Sequence, residues 1–98
     1  MVTIIQERRI KPGKQDELKA FLRQLRLAVA DHAGFMGGET LVNSENPNHQ
    51  IVVSNWRSVE DWKAWEADKK RQEIDQQMRK LMVGAPKVTF CNVFQWQQ

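Results

Sequence analysis

The chain has 98 residues, 41% of them apolar and 28% charged, which is the makeup of one ordinary globular domain rather than a disordered or membrane-embedded segment. Its formal charge of +3 comes from 15 basic residues spread among 12 acidic ones, with no aromatic-studded basic stripe, so nucleic-acid binding is not expected. No apolar run approaches the ~20 residues that cross a bilayer, and the charged N-terminal stretch lacks the apolar core of a secretory signal; a cytoplasmic location, away from membranes, is the expectation. The single cysteine, Cys91, cannot form an internal disulfide and lies in an apolar stretch, as an inert thiol would.

Val2 to Ile10 reads as a strand. Period two puts Val2, Ile4, Gln6, Arg8 and Ile10 on one face and Thr3, Ile5, Glu7 and Arg9 on the other. Lys11-Pro-Gly-Lys14 is a turn. From Gln15 to about Ala33 the pattern is helical, with Leu18, Phe21, Leu22, Leu25, Ala28, Val29 and His32 on one stripe, and Gly34 ends it. Phe35 to Asn43 is a second strand, in which Gly37-Gly38 suggests a bulge. Ser44 to His49 is a polar, turn-rich hairpin loop, with His49 expected to be exposed.

Ile51, Val52, Val53 and Trp56 form a third strand. Ser58 with Asp61 three residues on has capping-box spacing and predicts a helix start. On that helix Trp62 and Trp65 lie roughly 60° apart in projection, so one face carries two indoles. They either pack a core or wall a cavity. After a break near Ala67-Asp68, a further helix runs to about Met82, burying Ile74, Met78, Leu81 and Met82, and Gly84 and Pro86 stop it. Lys87 to Trp96 is the last strand; apolar residues on both of its faces predict cover on both sides.

The order β, α, β, β, α, β, with the second helix broken, is the split βαβ plan of an α+β, ferredoxin-like fold. Its antiparallel four-stranded sheet carries helices on one face only. The other face, with Ile5, Cys91 and Val93, is expected to bury itself against a second copy in a homodimer.

Lys11-Pro-Gly-Lys14 before a helix, Ala33-Gly-Phe35 entering a strand, Val52-Val53 followed by Asn55-Trp-Arg-Ser58, and Trp62-Lys-Ala-Trp65 resemble the antibiotic biosynthesis monooxygenase family over nearly the whole chain. The resemblance implies a dimeric α+β barrel with a ligand pocket between sheet and helices in each subunit. It also implies one of several activities: cofactor-independent oxygenation of phenols and quinols, heme degradation, or none yet assigned. In the heme-degrading branch the site consists of a first-strand asparagine, a helix tryptophan and an iron-ligating histidine about three turns later. Gln6 stands in the asparagine's place and Trp65 matches the tryptophan. Ile74 and Asp75 stand where the histidine would be, and Met78 would be a poor substitute. In the polyketide-oxidising branch Trp56 matches the strand-end tryptophan, whereas Val52 replaces a substrate-binding asparagine.

Cofactor-free oxygenation requires a dry apolar cleft, a few polar groups and a way to ionise the substrate. Trp62, Trp65, Phe21, Leu25, Phe90 and Phe94 are candidate walls for a small aromatic ligand. His32, on the inward stripe, is the candidate base, or else a helix-end histidine bonded to backbone carbonyls. Gln6 could orient a carbonyl or hydroxyl, or else pair with a neighbouring strand. Arg8 or Arg71 could hold a phenolate, or else be solvated. No cofactor and no metal are expected.

Overall fold

Val2, Ile4, Arg8 and Ile10 are buried whereas Thr3, Ile5, Glu7 and Arg9 are not, the alternation of a strand covered on one side. The structure is a computed structural model that describes residues 1–94. In chain order its elements are β1 (Val2–Arg9), α1 (Gln15–Ala30), β2 (Phe35–Val42), β3 (His49–Trp56), α2 (Val59–Glu66), α3 (Lys69–Arg79) and β4 (Lys87–Cys91). The strands form one sheet in the order β2-β3-β1-β4, every pair antiparallel. That is the ferredoxin-like α+β arrangement expected from the element order. No helix among the described residues is long and apolar enough to cross a membrane.

Local chemistry sets the helix boundaries. The Ser58 hydroxyl accepts the backbone N–H of Asp61, and the Asp68 carboxylate does the same for Arg71, so each half of the broken helix has its own N-cap. Asp61 also accepts hydrogen bonds from Arg57 and from the Ser58 hydroxyl, which together hold its carboxyl below the usual range. Helix α1 ends at Ala30, short of Ala33. Residues 31–34 form a turn in which His32 N–H donates to the Val29 carbonyl and Phe35 N–H to that of His32, and Gly34 has a φ of 80°.

Between Phe35 and Gly38 the β2–β3 register slips, the expected bulge. A Cβ at Gly38 would run into the Val53 carbonyl, so only glycine lets β2 lie this close to β3. His49 is not in an exposed loop. It opens β3 opposite Arg9, with its Nε2 3.2 Å from Glu7 Oε1 and its Nδ1 3.2 Å from Asn43 Nδ2. Strand β4 stops at Cys91 rather than Trp96, because Cys91 pairs with Thr3 and β1 begins one residue earlier, at Val2. Val93 and Phe94 are exposed, and Phe90 is half exposed, so β4 is not covered on both faces; Trp96 lies outside the described residues.

The helices pack over the face of Val2, Ile4 and Ile10, in two clusters that share Leu25. One joins Ile10 to Leu18, Ile74, Met78, Leu81 and Met82; the other joins Val2, Ile4 and Trp56 to Trp62 and Trp65. On the uncovered face, register places Ile5 opposite Val53 and Ile51 opposite Leu41, a contiguous apolar strip across three strands.

Candidate functional site

Gln6, Arg8, Val52, Ser54 and Trp56 alternate on the covered face of β1 and β3, and with Phe35 and Thr40 of β2 they floor a cavity of about 140 Å³. Leu22, Leu25 and Val29 of α1 roof it, and Trp62 and Trp65 of α2 and Arg71 of α3 close one end. The volume is close to the ~150 Å³ of an engineered apolar cavity that takes benzene, so it suits one six-membered ring. The indoles are held firmly: Trp56 and Trp65 stack with centroids 6.5 Å apart, Phe35 meets Trp56 edge-on at 5.3 Å, and Trp56 Nε1–H donates to the Ser54 hydroxyl at 3.0 Å.

Two arginines dominate the electrostatics. Arg8 is 7% and Arg71 6% exposed, values rare for a charged side chain. Arg71 lies 5.5 Å from the Trp65 ring and 5.9 Å from that of Trp62, and its Nε forms an ion pair with Asp75 at 3.3 Å. Burial, reinforced by the Arg71 charge and opposed by Asp75, pushes Arg8 down to about 10. Burial likewise lowers Arg71, against the pull of Asp75 and Glu66. On each arginine Nη1 is buried and has no hydrogen-bond partner. Gln50 is the cross-strand neighbour of Arg8 and its buried Oε1 is also unpartnered, so the two do not answer each other. The same arginines and Gln6 border a second chamber of about 110 Å³, walled by Met78, Met82 and Val88 with Asp75, Glu66 and Arg79.

Of the residues singled out from sequence, Gln6, Arg8, Leu25, Trp62, Trp65 and Arg71 come together here. Four others do not line the cavity. Phe21 packs on the Ile10 and Leu18 cluster, and Phe90 meets Trp62 edge-on from outside at 5.1 Å. His32 sits behind the wall, edge-on to Trp65 at 5.3 Å and to Trp56 at 6.1 Å, with Nδ1 3.4 Å from the Ala33 carbonyl. Phe94 is 74% exposed and is no wall either. Ser54, Leu22 and Val29 were not singled out as lining, although their signals were legible. Ser54 lies two residues before Trp56 on one strand face, and Leu22 and Val29 lie on the inward stripe of α1.

Heme does not fit this donor set. Ile74 and Met78 are core residues, 5% and 2% exposed, Asp75 is tied to Arg71, and the cavity is of single-ring size. Among the described residues no group of three or more His, Cys, Asp or Glu could hold a metal ion.

The family model for antibiotic biosynthesis monooxygenases matches residues 1–77. The chain belongs to the antibiotic biosynthesis monooxygenase family. The match covers β1 through most of α3, and with them the elements that frame the cavity. Solved structures of similar fold include an antibiotic biosynthesis monooxygenase with a TM-score of 0.89 at 15% identity, covering 97% of this chain and 100% of that one. Rv0793 from Mycobacterium tuberculosis superposes with a TM-score of 0.85 at 13% identity, over 99% of this chain and 98% of that one. A mutant of SnoaB, a cofactor-independent oxygenase from Streptomyces nogalater, does so with a TM-score of 0.84 at 14% identity, over 97% of this chain and 94% of that one. Likeness at such identities establishes the fold alone. No curated protein sequence matches the chain.

Proposed function

We propose that the protein is a cofactor-independent monooxygenase acting on a small phenol or quinol held under Trp62 and Trp65. The observation that carries this reading is a ring-sized cavity with aromatic walls and two buried, incompletely paired guanidinium groups. Membership of the monooxygenase family supplies the reaction class. The overall change balances without a cofactor. A phenol with a free ring position reacts with dioxygen to give a quinone and water, one oxygen atom entering the ring and the other leaving as water. The substrate supplies all the electrons. The reactive form is the substrate anion, which passes an electron to dioxygen, and neighbouring cations favour that anion over the neutral phenol. The tryptophan and leucine walls keep water from the encounter. Gln6 lines both chambers beside the arginines and orients the substrate oxygen.

The subunits pair through the uncovered strip of Ile5, Val53, Ile51 and Leu41, leaving each cavity on the opposite side of its own sheet. Light scattering in solution should give the mass of two chains; the mass of one would contradict the pairing.

Oxygen consumption by the purified protein, without added metal or flavin, is expected with members of a panel of single-ring phenols and hydroquinones. Gln6→Ala should lower kcat/KM by about tenfold or more, the worth of one positioned hydrogen bond, with the melting temperature nearly unchanged. Trp65→Phe is a cleaner second probe than alanine, because Trp65 is also core. If no substrate in the panel consumes oxygen although ligands still bind the cavity, the protein is a binding module of the same fold.

A further inference from the structure

The orphaned donors narrow the ligand class. Arg8 and Arg71 are each more than nine-tenths buried, each borders both chambers, and each leaves Nη1 unpaired. A buried guanidinium with a free N–H is costly to the fold unless something answers it. Asp75 pairs with Arg71 on its Nε side and leaves Arg8 without an ion-paired carboxylate. Over the two chambers together the lining carries Arg8, Arg26, Arg71 and Arg79 against Glu39, Glu66 and Asp75, an excess of one positive charge. This electrostatic pattern is complementary to one anion, set where the two chambers adjoin.

We infer that the ligand is a single-ring aromatic carboxylate, its ring in the chamber under Trp62 and Trp65 and its carboxylate between Arg8 and Arg71. Three physical arguments favour a carboxylate over a phenolate at that position. A carboxylate is fully ionised at neutral pH, whereas a phenol of pKa about 10 is ionised only to about one part in a thousand at pH 7. The guanidinium fork matches a planar two-oxygen anion, so one carboxylate can accept from both orphaned N–H groups at once. Lastly, the first chamber is of ring size, and the adjoining space of about 110 Å³ beside the arginines accommodates a ring substituent. The inference rests on the cavity being the substrate site, as proposed above, but not on turnover there. A substrate of this class is a hydroxylated benzoate, its carboxylate rather than its ring oxygen bonded to the two guanidinium groups, whose charge then acts on the ring hydroxyl through space and not by direct contact.

Calorimetric titration of the full chain at pH 7 with benzoate and with benzamide separates charge from shape, because the two are nearly isosteric. Benzoate should bind at least about tenfold more tightly than benzamide, a modest share of what a charge-assisted pair provides. Arg8→Met should abolish that preference, and a cooperative urea transition with a midpoint no lower than that of the wild type reports that the variant is folded. Equal binding of the two ligands, failure of benzoate to bind, or a preference that survives Arg8→Met would each overturn the inference. Oxygen uptake distinguishes this failure from that of the oxygenase reading. Turnover of uncharged hydroquinones without benzoate binding removes only the carboxylate class, whereas benzoate binding without any oxygen uptake on hydroxybenzoates removes only the oxygenase.

Discussion

Trp56→Ala is expected to cost about 3–5 kcal/mol of folding stability, the range for removing a large aromatic from a core. The residue is 1% exposed, and its ring touches Trp65, Phe35 and His32 while its N–H is satisfied by Ser54. Truncation therefore removes stacking partners on several sides and leaves a void that opens into the cavity beneath. A chain of this size has a total stability of about 5–15 kcal/mol, so the variant should be near the edge of folding and should melt about 15–30 °C lower. Urea titration checks this. A loss below about 1 kcal/mol would mean that the tryptophan cluster does not organise the core. Trp56→Phe keeps the ring contacts with Phe35 and Trp65 but leaves the Ser54 hydroxyl without its donor, and a smaller loss is expected.

Arg8→Met should move stability the other way. Methionine fills similar space with no charge to desolvate, and replacing a poorly paired buried ion by an apolar side chain typically gains about 1–3 kcal/mol. The linkage points the same way. The folded chain holds the Arg8 proton less tightly than the unfolded chain does, burial having lowered its pKa to about 10. Stability is therefore diminished at every pH below about 10 and recovers only as pH rises above that. The urea midpoint of Arg8→Met at pH 7 should rise with an unchanged slope. A fall of more than about 1 kcal/mol would show that the guanidinium serves the fold and is not reserved for a ligand.

Much of this was legible in the chain, for reasons tied to individual residues. Ser58 and Asp61 announced the start of α2 because an N-cap hydrogen bond needs only local spacing. Gly37-Gly38 announced the bulge because nothing larger than glycine clears the Val53 carbonyl at Gly38. The far end of β4 was overestimated because strand length there is set by the partner, and β1 begins one residue before the last pair. His49 looked like a loop residue because Glu7, its neighbour in space, is 42 positions away in sequence.

The site was legible in part for the same reason. Period two places Arg8 on the strand face of Val2, Ile4 and Ile10, and Arg71 lies three residues before Ile74 on α3, yet solvation is the usual fate of an arginine and neither spacing settles its burial. That these two guanidinium groups border one cavity and lack partners depends on how α3 docks against β1, which no local spacing encodes. His32 fell on the correct helical stripe but lies one layer too far back, because α1 turns at Ala30 and sends it against the outer side of the indoles.

The most direct measurement is a crystal structure of the protein grown with saturating benzoate. Ring density should lie beneath Trp62 and Trp65, with carboxylate oxygens about 2.7–2.9 Å from Nη1 of both Arg8 and Arg71. A cavity without density for the ring, or benzoate found only elsewhere on the surface, would contradict the account.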